Sequence, residues 1–388
     1  MRRPHRPTVL GLVVIVLSAA CASARHDVTA NSAPSGRPSL ATSLATSLVT
    51  ADATWAAVVM GGSAATHDNF WQLFVRTAAS PHWRLATPPG VADNGGLILA
   101  SLGKSLVSGF RPSQDLTFSP LATTINHGRS WQPERPFDAA LADVPDALAA
   151  APGGDRLLAL SSRGAAELAA TGSSGWAKLT DRKALAASPA GRRCRLSGLT
   201  AVSFTLSGTP LLGGTCLRPG AVGIFAVTGQ TGYAAGPALP PSLAGPAVGV
   251  LRLTSTGSGN LALLVTGTAA NATVLAGWTG DGGAHWALSP PLALGGTRVR
   301  SSGFGAGGSA WLILSSGRAE TLSGRGAAWR PLPPLPAGTA ALAAGPAGSF
   351  DALATHGTNL TAWRLDQHAT TWRAAQTINV PIQYGSSG

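Results

Sequence analysis

The sequence holds only three glutamates and three lysines, and charged residues make up 11% of its 388 positions. Long exposed helices draw on Glu–Lys pairs one turn apart, so a coiled coil or open helical bundle is excluded. Cysteine occurs three times, with no Cys-x-x-Cys and no Cys/His cluster, which excludes a structural zinc site. Glycine is abundant but lacks a three-residue period, so the chain is not collagen-like. There is no His-Glu-x-x-His and no Gly-x-Ser-x-Gly. Gly96 and Gly103-Lys104-Ser105 imitate a phosphate-binding loop, but these glycines stand too far apart for one. No stretch beyond residue 24 is long and apolar enough to span a bilayer.

What is present begins with an export signal. Met1-Arg2-Arg3 and Arg6 give a cationic start, residues 9–17 an apolar run, and small residues follow, the layout of a secretory signal peptide over residues 1–20. Leu17-Ser18-Ala19-Ala20-Cys21 resembles a bacterial lipoprotein box, with Ser18 where an aliphatic residue is usual. The resemblance implies lipidation at Cys21 and a protein held at the outer face of the cytoplasmic membrane. Ala22-Ser23-Ala24 offers the alternative of ordinary cleavage and free secretion, and an uncleaved anchor is the third choice. With Cys21 carrying lipid, Cys194 and Cys216 are left as an even pair in an oxidising compartment, where a disulfide is expected. Residues 21–50, rich in Ser, Thr and Ala, read as a tether.

The formal net charge of +12 falls by three once Arg2, Arg3 and Arg6 leave with the signal. The remaining arginines are scattered, with Arg192, Arg193 and Arg195 the one tight cluster. For an exported chain the anionic partners to expect are headgroups or envelope polymers rather than nucleic acid.

Beyond residue 50 the chain repeats. An aromatic residue followed by prolines recurs at Trp83, Trp131, Trp176, Tyr233, Trp286, Trp329 and Trp372. Between these markers lie short apolar runs at 55–60, 105–110, 157–160, 210–212, 261–265, 310–314 and 350–354. Glycine and proline, about a fifth of the residues, punctuate the chain too often for long helices. Seven marks on a period of 40 to 50 residues, with several short strands per unit, predict an all-β fold. The expected architecture is a single seven-bladed β-propeller of four-stranded antiparallel blades over residues 51–388. The first unit lacks an inner strand, which the spare extended run 377–383 is expected to supply; residues 43–50 are the alternative.

Two turns carry a family resemblance. Thr279-Gly-Asp281-Gly-Gly283-Ala-His-Trp286 is similar to the Asp box of bacterial neuraminidase-type repeats, and Thr124-Ile-Asn126-His-Gly128-Arg-Ser-Trp131 matches with Asn for Asp. Ser323 to Trp329 keeps only Gly326 and the Trp. The resemblance implies structural hairpin turns on the blade rim, with the Trp packed between outer strands. It also raises sialidase chemistry, which needs an arginine triad, a Tyr nucleophile paired with Glu, and an Asp acid/base. Tyr233 is a repeat marker and Tyr384 sits at the chain end, while Glu134, Glu167 and Glu320 share no evident location. His82, His127, His285 and His368 each precede a marker Trp, on separate turns too far apart to share a metal. Asp143 and Asp146 have no pairing suited to acid/base work.

The expected function is therefore a non-catalytic binding scaffold for an envelope or secreted protein, with no cofactor and no metal. The alternatives are a propeller binding a glycan or anionic polymer, suggested by the arginines and by Trp71, Trp278, Trp311 and Trp363, and a sialidase-like hydrolase. A packing role for those four Trp residues is the simpler expectation.

Overall fold

The computed structural model describes residues between Ser47 and Pro381, except 51, 62–68, 90, 92–96, 103–104, 111–120, 134–144, 162, 171–174, 229–230, 269 and 346–347. The signal segment, Cys21, Glu134, Asp143 and Tyr384 lie outside the described residues.

The described strands form six antiparallel sheets, five of four strands and one of nine. The first sheet runs Ser47–Val49, Ala53–Gly61, Asn69–Thr77 and Arg84–Leu85, each strand paired with the next in sequence. The other four-stranded sheets repeat this meander, with second strands Ser105–Phe110, Arg156–Leu160, Ala310–Leu314 and Phe350–His356. The nine-stranded sheet is two such meanders, starting at Leu196–Phe204 and Val248–Thr256, plus the short strand Leu292–Ala293, which pairs with Thr273 and Val274. They are joined where Thr215 and Cys216 pair with Gly249 and Val248.

Each second strand coincides with one of the apolar runs of the sequence. These strands are covered by neighbouring sheets on both faces, so they need no polar alternation. Gly259–Thr266 and Pro210–Cys216 are buried along their whole length. Four of the outermost strands are the opposite case. Arg84–Leu85, Gln132–Pro133, Ala287–Leu288 and Arg330–Pro331 have two residues each and directly follow Trp83, Trp131, Trp286 and Trp329.

The first strand of each meander lies beside the first strand of the next. Thr339–Ala344, which opens the last sheet, packs against Ser47–Val49 and Ala53–Gly61. Antiparallel meanders set radially around a central cavity, with the last against the first, are a β-propeller. The closing strand is Ser47–Val49, paired with Thr54–Ala56. It lies at the end of the segment read as the tether, within residues 43–50, so that alternative holds and the expectation that 377–383 closes the first sheet is corrected. Thr377, Ile378 and Asn379 instead end the outer strand of the last sheet, opposite Thr361, Leu360 and Asn359. That pairing leaves them at the rim, far from an inner position.

A buried charged cluster joins the first and last sheets. Asp351, 2% exposed, accepts from Arg76 Nη1 at 2.8 Å, Arg364 Nε at 2.9 Å and Trp83 Nε1 at 2.8 Å. The Arg76 guanidinium also lies 5.4 Å from the Trp83 ring centroid, within cation–π range. Gln376 Oε1 accepts the Trp83 backbone N–H at 2.7 Å, and its Nε2 donates to the Trp83 carbonyl at 2.9 Å. Burial pulls the Arg76 pKa down while Asp351 opposes the fall; a hydrogen bond to Asp351 raises that of Arg364.

The longest gap between markers, Trp176 to Tyr233, holds two short helices that the sequence reading did not anticipate, Arg182–Ala187 and Pro189–Cys194. Their starts follow local rules: the Asp181 side chain accepts from Ala184 N, and the Ser188 side chain accepts from Gly191 N with Pro189 at the first turn. A disulfide ties Cys194, at the end of the second helix, to Cys216, at the end of strand Pro210–Cys216, with Cα atoms 5.1 Å apart.

Candidate binding surfaces

The two motif turns are built alike. In one, the Thr279 hydroxyl donates to Asp281 Oδ1 at 2.8 Å and accepts the Gly283 N–H at 3.0 Å, while Asp281 Oδ1 accepts the His285 N–H at 3.0 Å. In the other, Thr124 donates to Asn126 Oδ1 at 3.0 Å and accepts from Gly128 N at 2.9 Å, and Asn126 Oδ1 accepts from Ser130 N at 2.9 Å. Both glycines have positive φ, +103° and +75°, and both abut the preceding meander. A Cβ on Gly283 would meet the Ala235 carbonyl oxygen at 2.3 Å, and one on Gly128 would meet Ala86 Cβ at 2.7 Å.

The tryptophans complete the contact. Trp286 Nε1 donates to Ala235 O at 2.8 Å, Trp131 Nε1 to Ala86 O at 3.0 Å, and Trp372 Nε1 to Pro333 O at 3.3 Å. Each accepting carbonyl lies two to four residues past the previous marker aromatic, so the turns fasten one meander to the one before. Trp329, whose turn lacks the Asp, has a buried Nε1 without a partner. The hydrogen bond from the His285 N–H, then that from its ring, holds the Asp281 carboxyl well below the usual carboxylate range. These polar groups are occupied within the turns, which makes them parts of the scaffold.

The other singled-out residues divide similarly. Trp71 and Trp311 are buried, Trp363 packs on a core cluster, and Trp278 donates to Gly308 O at 3.2 Å. His127 Nε2 lies 2.9 Å from Asp52 Oδ2 and His285 Nδ1 2.6 Å from Asp281 Oδ2. No group of three or more potential metal ligands occurs among the described residues. Asp181 caps a helix, Asp351 joins the first and last sheets, Glu320 pairs with Arg318 at 2.9 Å and Asp366 with Arg373 at 3.1 Å. Burial pushes the Glu320 carboxyl up.

Two surfaces remain. One is a central cavity of about 480 Å³, walled by the first strands of successive meanders. Its lining is apolar (Val49, Ile98, Leu99, Phe304) and hydroxylic (Ser203, Thr254), with Arg252 as its charged residue and no lining carboxylate among the described residues. The other is a basic patch on the helical insertion. Arg192, Arg193 and Arg195 are exposed there, and the fold adds exposed Arg182, Lys183 and Arg218, the last held across the disulfide by a bond from Nη1 to Arg193 O at 3.5 Å. The sequence cluster at 192–195 marked this patch; Arg218 joins it through the pairing of Leu196 with Cys216, the Arg218 N–H to Cys194 O bond and the disulfide, and the cavity had no sequence signal.

No family model matches the chain, and no curated protein matches it. Solved structures do resemble it at low identity. A protein from Lactobacillus plantarum aligns with TM-score 0.51 and 10% identity, over 85% of this chain and 97% of its own. The β-propeller domain of Cps50 (Swd1) from Myceliophteria thermophila aligns with TM-score 0.48 and 12% identity, over 80% and 89%. YCF48 bound to a D1 peptide aligns with TM-score 0.44 and 12% identity, over 74% and 81%. At 10% identity the likeness to the Lactobacillus plantarum protein concerns the fold alone, and the closed series of meanders makes the chain a β-propeller.

Proposed function

We propose that this chain is an exported, non-catalytic seven-bladed propeller, lipidated at Cys21 and acting as a scaffold for an envelope or secreted protein. Dividing the nine-stranded sheet at its Thr215–Gly249 link supports the count of seven. The observation that carries the scaffold role is the deployment of the acids. Asp181, Asp281, Glu320, Asp351 and Asp366 hold turns, caps and sheet contacts, and no described carboxylate lines the cavity. Hydrolysis by a pair of carboxyl groups needs them facing one substrate bond a few ångströms apart. A ring with an inert frame and free loops serves binding instead.

Affinity capture after cross-linking in cells tests this: a specific protein partner is expected, and turnover of a fluorogenic sialoside would contradict it. For the anchor, labelling with a radioactive fatty acid should be abolished by Cys21→Ser; labelling that persists would remove lipidation at this residue.

A second reading is favoured by the patch around the disulfide. Six exposed cations on and beside the helical insertion suit an anionic envelope polymer, with binding that weakens as salt rises. Retention on isolated cell wall at low salt, lost on replacing Arg192, Arg193 and Arg195 with Ala, would support it; salt-independent retention would not.

A further inference from the structure

Arg252 stands apart from every other described charge. Its Nε and Nη2 are enclosed, and among the described residues they have no hydrogen-bond partner and no paired carboxylate. The residue as a whole is part-buried on the cavity wall, and desolvating two of its nitrogens without a counter-charge is unfavourable for folding. Burial lowers its pKa to about 10, which still leaves it cationic at neutral pH.

The repeat provides an internal control. The first strand of several meanders carries a β-bulge against the second, and the register resumes at Ala201, Arg252, Ser301 and Ala341. Three of these equivalent positions hold a small buried residue. An arginine is thus not what the fold needs at this point, and bulges commonly re-aim a side chain next to a site. Arg252 occurs where the strand borders the cavity, whose lining also includes Ser203 and Thr254 and the apolar Val49, Ile98 and Phe304.

We propose that the central cavity binds a small organic monocarboxylate, with its anionic group compensating Arg252 and an apolar tail against the aliphatic and aromatic walls. A single guanidinium matches one negative charge, whereas a phosphate dianion would call for a second cation, and none lines the cavity among the described residues. A volume of about 480 Å³ falls within the range of small-molecule sites. This site is independent of the scaffold role and can stand or fall without it.

The test is calorimetric titration and thermal unfolding of the full chain with hexanoate, hexanamide and inorganic phosphate. Hexanoate should bind at one site and raise Tm, with hexanamide and phosphate at least about tenfold weaker, the cost of losing one charge-assisted contact. Arg252→Met should lose hexanoate binding by a similar factor, while Arg252→Lys keeps part of it. Without ligand, Arg252→Met should melt at or above the wild-type temperature, because it removes an uncompensated charge. Equal affinity for hexanoate and hexanamide, undiminished binding by Arg252→Met, preference for phosphate, or no binding would each overturn the proposal. So would a lower melting point of unliganded Arg252→Met, which would make the arginine a structural residue.

Discussion

Asp351 holds two arginines and a tryptophan from two sheets, so its removal should be felt beyond its own strand. Truncation to Ala leaves Arg76 buried without its partner, a change that costs about 3–5 kcal/mol in comparable pairs. Urea unfolding of Asp351→Ala should show a loss of that order, with a shift under about 1 kcal/mol pointing to a weaker junction. Asp281 makes a pH prediction of opposite character, because it is exposed and its effect is local. Its folded pKa lies below the unfolded one, near 4. Its contribution is therefore present above that value and lost as pH falls through the folded pKa. Trp286 fluorescence should report an intact turn at pH 4, and Asp281→Asn should flatten the acid response. Legibility differs between these residues for a physical reason. Thr279, Asp281 and Gly283 bond within four residues of each other, so the motif displays their geometry. Asp351 meets Trp83 across 268 residues, and Arg252 acquires its isolation only when separate strands wall one cavity.

The second strands were plain in the sequence because burial on both faces leaves an unbroken apolar run, as in Gly259–Thr266. The first strands were not. Val299–Phe304, with the sequence VRSSGF, serves a bulge and borders the cavity, so its polarity follows neither helical nor alternating order. Two-residue outer strands carry too little pattern to detect, and the marker tryptophans betrayed them through their packing. The helical insertion was visible only as a long gap with two cysteines. Its disulfide closes a segment of 22 residues, for which loop-closure entropy suggests about 3 kcal/mol. The double variant Cys194→Ser, Cys216→Ser should lose stability on that scale in urea and become protease-sensitive within the insertion. Unchanged stability would mean that the helices are held by Leu185 and their other core contacts alone.

The molecule as a whole depends on joining its last sheet to its first. Removing residues 1–46 should leave the ring unaltered, whereas removing 1–50 also takes Ser47–Val49 and should lower Tm by roughly 5 °C or more. Equal melting of the two truncations would show that this strand does not contribute to closure. Such a ring displays loops at two ends of its cavity, and the proposed scaffold function places a protein partner on one of them. Site-resolved cross-linking in cells examines that proposal without presupposing the partner. One protein should be recovered reproducibly, with its cross-links gathered on loops at one end of the ring. Recovery of nothing above an unrelated anchored control would contradict it.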